Sequence, residues 1–246
     1  SRPTCSDCAV KLATWNCNGK FEANLRHLVS MGVDVAVVCE AKAPSAWPST
    51  SDGRKVVGLS RPIPGGVWKQ LVVLACAPWT VELHATVDSA PAWALPVRVG
   101  GPMPFTLVGL HTLKLAGNGG YEGEIDRIID WMKEVTDGGP MVLAGDFNSP
   151  IADTQKRYDR VALRLEQLGL RDVYRSARGL EQGELPAEAT YYQRKLGEVR
   201  GFHIDHLFLP GKWTDGAKVE VGDFETWVES GRSDHVPVIA DLHYAY

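Results

Sequence analysis

Polar residues cap the ends of short apolar runs in this chain, and that placement constrains the fold more than any other feature. Lys11–Trp15, Val33–Cys39, Phe105–Leu110 and Met141–Ala144 read as strands. They run directly into Asn16/Asn18, Glu40, His111 and Asp146/Asn148. In two later segments the order reverses: Asp205 precedes His206–Leu209, and Asp234/His235 precede Val236–Ile239. If the last two strands run antiparallel to the first four, all six polar clusters meet on one edge. A carboxylate at the end of an apolar strand is costly unless it is paired or bound to a cation. Pooling several of them points to a divalent metal and a phosphate.

Helical stripes alternate with these strands. Phe21, Leu25, Leu28 and Val29 form one that Gly32 can end, and Ile125, Ile128, Ile129, Met132 and Val135 form a second. Val161, Leu165 and Leu168 form a third, closed by Gly169. Val56–Leu59, Leu71–Ala75 and Val81–Val87 are expected as a meander. Ser89–Pro104 reads as a Pro/Gly-rich connection. An open doubly wound sheet collects ligands only at the carboxyl ends of its strands. Two of the six clusters sit at strand starts, so two mixed sheets packed face to face with helices outside fit better. The expectation is one α/β domain over residues 11–246, preceded by a flexible segment 1–10.

The 246 residues carry a net charge of −4, which argues against a broad basic nucleic-acid surface unless a metal neutralises an acidic cleft. Five cysteines cannot all pair, and Cys17, Cys39 and Cys76 lie in or beside apolar strands, where free cysteine packs as a small hydrophobe. Cys5 and Cys8 form a lone C-x-x-C with no second pair to complete a zinc site. No apolar run is long enough to span a bilayer, and the first residues lack a signal-peptide pattern. A cytoplasmic monomer with no membrane partner is expected.

Each motif has a bland reading beside the chemical one. Asp146 and Asn148 in Gly-Asp-Phe-Asn could form an Asx turn, or supply a carboxylate for water and an amide for a phosphate oxygen. Gly222-Asp223-Phe224-Glu225 repeats the first three letters without the Asn. Asp205 alternates with Ile204, so it can orient an imidazole, while His206 shares the face of Ile204 and reads as a packed histidine. Glu40 suits magnesium, which takes one or two carboxylates and keeps most of its water. Arg157, Arg160, Arg164 and Arg171 fall on one face of the third helix, and residues 154–178 carry four more Lys/Arg than acids. That stripe could track a phosphate backbone or be a solvated face.

Taken in order, Thr-Trp-Asn, Glu40, Leu-His-Thr, Gly-Asp-Phe-Asn, His-Ile-Asp-His and Ser-Asp-His resemble the endonuclease/exonuclease/phosphatase (DNase I-like) superfamily. The resemblance implies a four-layer α/β sandwich with its site at one edge of two facing mixed sheets. It implies metal ligands at Glu40, Asn18 and Asp234, with Mg2+ as the cofactor and Mn2+ as a substitute. It assigns catalytic roles to Asp146, Asn148, His235, Asp205, His111 and Asn16. His111 resembles the histidine of DNase-type members, where relatives of exonuclease III usually carry tyrosine. Tyr191, Tyr192 and Phe202 sit where repair members place aromatics near the nucleotide, and with Arg157, Arg160 and Arg164 complete the expected substrate contacts. The implied activity is hydrolysis of DNA phosphodiesters. The alternatives are a phosphomonoesterase or phospholipid diesterase on the same scaffold, and a catalytically silent binding module.

Overall fold

Continuous apolar runs, rather than alternating ones, are what a strand buried on both faces requires, and they dictate the layering. The computed structural model describes residues 8–42, 49–65, 68–114, 119–135, 138–151 and 154–244. The first sheet contains β1 (Cys8–Asn16), β2 (Val35–Lys42), β3 (Thr50–Ser51), β4 (Arg54–Pro62), β5 (Lys69–Cys76), β14 (Lys218–Val221) and β15 (Val238–Tyr244). Their spatial order is β14-β15-β1-β2-β5-β4-β3. The second contains β6 (Thr80–Leu83), β7 (Ala94–Gly100), β8 (Phe105–His111), β9 (Met141–Asp146), β10 (Leu170–Asp172) and β13 (Asp205–Pro210), ordered β10-β13-β9-β8-β7-β6. β11 (Tyr191–Lys195) and β12 (Glu198–Phe202) make a separate antiparallel hairpin.

Facing side chains of the two sheets form the central core. Leu12, Val35, Val37 and Val73 from the first meet Leu95, Val97, Leu107, Val142 and Leu207 from the second. Residues pointing the other way cover the outer faces. Ala13, Trp15, Ala36 and Val38 pack beneath α1 (Phe21–Ser30), whose Phe21, Leu25, Leu28 and Val29 are the anticipated stripe. Val108, Leu110, Leu143 and Phe208 pack beneath α2 (Gly120–Val135) and α3 (Gln155–Gln167), through Ile125, Ile128, Ile129, Val161 and Leu165. The result is helix, sheet, sheet, helix: four layers.

Strand directions match the sequence argument. β1 runs parallel to β2 and β8 parallel to β9, while β15 is antiparallel to β1 and β13 antiparallel to β9. Asp205 is therefore the register partner of Asp146, and His111 is paired with Asp146 on the other side.

Some expectations need correcting. The meander breaks after β5: β4 and β5 form a hairpin in the first sheet, whereas β6 joins the edge of the second beside β7. β7 lies inside the stretch read as a Pro/Gly connection. Its Leu95, Val97 and Val99 are buried, and Pro96 falls just beyond the end of β6, where His84 donates to its carbonyl and no N–H is needed. The first strand also begins within the segment expected to be flexible, since Cys8 and Val10 pair with Tyr244 and Leu242. Cys5 lies outside the described residues. Cys17, Cys39 and Cys76 are buried and unpaired.

Candidate active site

The polar strand ends open into one cleft of about 570 Å³. Asn16, Asn18, Glu40, Asp146, Asn148, Asp234 and His235 line it, and they come from loops and strand ends spread across both sheets. Backbone strain concentrates here. Asn18, Glu40 and Asn148 all have positive φ, at 44°, 56° and 50°. Such conformations cost on the order of 1 kcal/mol or more each and persist where surrounding structure enforces them. At Glu40 the cause is visible: the β2–β5 register slips between Val38 and Ala41, and this bulge re-aims the carboxylate.

Asp146 is the most enclosed of the acids that line the cleft. Its position depends on Gly145, whose φ is +148° and whose added Cβ would lie 1.8 Å from the Leu110 carbonyl oxygen. No other residue fits so close to β8. The Asp146 carboxylate accepts from Asn16 Nδ2 at 2.9 Å and from the Asn148 backbone N–H at 2.8 Å, and His111 Nδ1 lies 3.5 Å away. Burial pushes this carboxyl up, but the His111 contact, the charge of His235 and the Asn16 bond outweigh it and hold the group at about 2. Local interactions win over desolvation.

His235 Nδ1 is 2.8 Å from Asp205 Oδ2, and Asp205 is fully buried. Burial lowers the imidazole's pKa, but the Asp205 charge and hydrogen bond, with Asp146 and Asp234 nearby, raise it to about 9. Asp205 is itself pushed up, by burial first, against the opposing pull of His235. Thr190 Oγ1 receives the Ile204 and Asp205 backbone N–H groups at 3.0 Å each, which fixes the Asp205 end of the pair. With Nδ1 committed, Nε2 is the atom His235 has left for a ligand.

His111 sits between acids of the two sheets, with Nε2 3.5 Å from Glu40 Oε1. Glu40 Oε1 also pairs with Lys69 Nζ at 2.6 Å. Asn18 Nδ2 donates to Asp234 Oδ1 at 3.1 Å, and Asn148 Nδ2 donates to the Thr112 carbonyl at 3.1 Å. Asn16 spends its amide on Asp146 and on the Asn18 backbone, so it positions its neighbours. Among the described residues, Asp146, Asp205 and His235 bring one ligand atom each within 4.8 Å of one another, and Asp205 Oδ1 is buried without a hydrogen-bond partner.

The expected substrate contacts divide. Tyr191 and Phe202 line the cleft, with the Tyr191 ring 4.6 Å from that of His235. Tyr192 turns to the opposite side and packs on Phe224 at 4.7 Å. The arginine stripe does not reach the cleft. Arg160 pairs with Asp126 at 3.1 Å, and Arg164 with Asp126 and Asp130, stitching α3 to α2. Arg157 is exposed away from the cleft lining. Acids on α2 thus face Arg160 and Arg164 across the helix seam.

Sequence reading missed Lys69, Tyr121, Gln193 and Arg200, which also line the cleft. Lys69 carried no signal, because β5 reads as a plain core strand. Gln193 and Arg200 were legible in principle: residues 191–202 are two extended runs around Gly197, whose φ is +82°. His206 is buried as anticipated, between Asp172 at 2.9 Å and the Ser149 carbonyl at 3.0 Å. His203 packs on Tyr174 and bonds the Glu188 carbonyl.

No protein-family model matches the chain. A UPF0294 protein of Vibrio cholerae is 24% identical over 172 residues, covering 70% of this chain and 51% of the relative. The chain thus spans about half the length of the curated relatives it matches. Solved structures agree over nearly the whole chain. An AP endonuclease from Archaeoglobus fulgidus is 17% identical with a TM-score of 0.68, over 94% of this chain and 98% of that one. A 3'-5' exonuclease from Neisseria meningitidis is 19% identical with a TM-score of 0.67, over 96% and 100%. The endonuclease domain of TRAS1, a telomere-specific non-LTR retrotransposon, is 13% identical with a TM-score of 0.66, over 95% and 98%. This chain has the DNase I-like fold that it shares with these solved structures.

Proposed function

We propose that this chain is a divalent-metal-dependent phosphodiesterase that hydrolyses DNA, working as a monomer with magnesium, for which manganese can substitute. The observation that carries the reading is the meeting of Asn18, Glu40, Asp146, Asp234 and His235 in one cleft, from four separate parts of the chain. The solved relatives named as nucleases support it.

The donor set fits a hard divalent cation. Glu40, Asp234 and the Asn18 amide offer oxygen atoms on the open side of the cleft, which leaves room for the waters magnesium retains. The Asp146–Asp205–His235 group is the weaker candidate, since all three side chains are buried, whereas magnesium keeps most of its water. Bound at the open set, the metal would act as a Lewis acid toward a phosphate oxygen and the leaving alkoxide.

The protein's own groups divide the remaining work. A carboxylate held at about 2 is a weak base, so Asp146 accepts a hydrogen bond from the attacking water and orients it. His235, anchored by Asp205, presents Nε2 to a non-bridging phosphate oxygen, and Asn148 adds an amide proton. His111 lies beside Glu40 near the leaving group. Tyr191 and Phe202 offer rings for base stacking.

The test is a cleavage panel of labelled single-stranded, duplex and abasic DNA, RNA and 4-nitrophenyl phosphate, with magnesium and with EDTA. DNA cleavage that requires the metal is expected. Turnover of the small ester alone would favour the phosphomonoesterase alternative, and no turnover of any substrate would overturn the proposal.

A further inference from the structure

The catalytic cleft has a neighbour. A second hollow of about 500 Å³ shares Asn18, Tyr191, Gln193 and Asp234 with it, so these residues form a common wall rather than an outer boundary. Each hollow carries two cationic side chains of its own. Lys69 and Arg200 line the first, Lys20 and Arg194 the second. β11 contributes to both hollows: Tyr191 and Gln193 line each of them, while Tyr192 and Arg194 line only the second.

That arrangement is odd for a site taking a single small phosphoester. The protein's net charge is −4, yet basic groups recur on both sides of a wall built from catalytic-cleft residues. Lys69 is paired with Glu40 at 2.6 Å and Arg200 with Glu198 at 3.1 Å, so Lys20 and Arg194 of the second hollow are the cations placed to meet a further phosphate. Tyr192, packed on Phe224 at 4.7 Å, forms part of the second hollow's floor.

We infer that the second hollow is a subsite for the nucleotide next to the scissile phosphate, with Lys20 and Arg194 taking that nucleotide's phosphate. The inference rests on the phosphodiesterase reading and narrows it: the substrate is a polynucleotide strand that crosses the Asn18–Tyr191 wall. Lys20 reaches this position because its Nζ is anchored on the Gly231 carbonyl at 2.6 Å, beside the loop that carries Asp234. Arg194 comes from the hairpin's first strand. Neither residue touches the groups that orient water or the metal donors, so their effect belongs to strand binding.

The experiment measures binding without cleavage. A fluorescein-labelled single-stranded oligodeoxynucleotide is titrated in EDTA at several salt concentrations and followed by anisotropy, for wild type, Arg194→Gln and Lys20→Gln/Arg194→Gln. Each phosphate contact on a single strand contributes about 0.7 to the slope of log affinity against log salt. The double variant should therefore lose about 1.4 from that slope, and Arg194→Gln about 0.7. Affinity should fall roughly tenfold for the pair. Arg194→Gln lies on an exposed strand, so it tests the subsite even if loss of the Lys20 anchor disturbs the fold. Unchanged slopes in both variants, or no strand binding by the wild type, would overturn the subsite. Normal binding by a wild type that never cleaves DNA would sink the hydrolase reading alone.

Discussion

The chain contains the letters Gly-Asp-Phe twice, and the two copies have opposite fates. In Gly145-Asp146-Phe147-Asn148 the Asp is 1% exposed, the Phe is fully buried, and the Gly is pressed against a neighbouring strand. In Gly222-Asp223-Phe224-Glu225 the Asp lies at the surface and accepts the Thr226 backbone N–H at 2.7 Å, starting the single turn Glu225–Glu229. Its pKa is lowered by the Thr226 hydrogen bonds, whereas that of Asp146 is lowered by two histidines and an amide against the force of burial. One Asp serves a turn, and the other holds charge where only a site could stabilise it. Local letters do not decide this. What decides it is that Gly145 ends a strand wedged between two others, whereas Gly222 follows an edge strand.

The comparison breaks most visibly at the glycines. Gly145→Ala forces a Cβ into the Leu110 carbonyl and should cost more than about 3 kcal/mol, enough to remove most folded protein. Gly222→Ala meets ring atoms of Pro237 and Trp227 at 2.6–2.7 Å rather than a strand carbonyl, so a smaller loss of about 1–3 kcal/mol is expected. Chemical denaturation of both variants ranks them, and equal losses would remove the claimed distinction.

Burial beside the first copy also predicts a pH dependence. His203 is lowered from 6.5 to about 4, by burial first and then by the charge of His206. Between those values the unfolded chain binds a proton that the folded chain does not. Stability is therefore whole above pH 6.5 and falls as pH drops, by roughly 3 kcal/mol once pH passes below 4. His203→Gln should flatten that slope in urea melts at pH 7 and pH 4.5, while Asp223→Asn leaves it intact. Parallel slopes for wild type and His203→Gln would refute the assignment.

The fourth letter separates the copies chemically. Asn148→Asp adds a second anion beside Asp146 and should slow DNA cleavage at least tenfold, whereas Glu225→Asn, which completes a second Gly-Asp-Phe-Asn, should confer nothing. The smallest effect belongs to the arginines. Partly exposed ion pairs contribute about 0.2–1 kcal/mol, so Arg160→Ala/Arg164→Ala should lower stability by about 1 kcal/mol. Its Michaelis constant for DNA should stay within about twofold. A large rise in that constant would return the stripe to the substrate.

The sequence made the six polar strand ends and their shared edge readable, because apolar runs buried on both faces leave little doubt about where a strand stops. It also showed the three helices, each closed near a glycine. β7 was hidden by Pro96, whose missing N–H falls just beyond the end of β6 where no partner needs it. The ion pairs of Arg160 and Arg164 were not legible because their acids, Asp126 and Asp130, stand 34 residues away on α2. Lys69 was invisible for a related reason: its partner Glu40 is brought close only by a bulge, and a one-residue register slip leaves no trace in a row of valines.

The most direct measurement is single-turnover cleavage of labelled DNA in magnesium by wild type, Asp146→Ala and Asp223→Ala, with folding checked by circular dichroism. The account predicts a loss of at least ~100-fold for Asp146→Ala and less than about twofold for Asp223→Ala, both folded. Comparable rates for the folded Asp146→Ala protein and the wild type would contradict it.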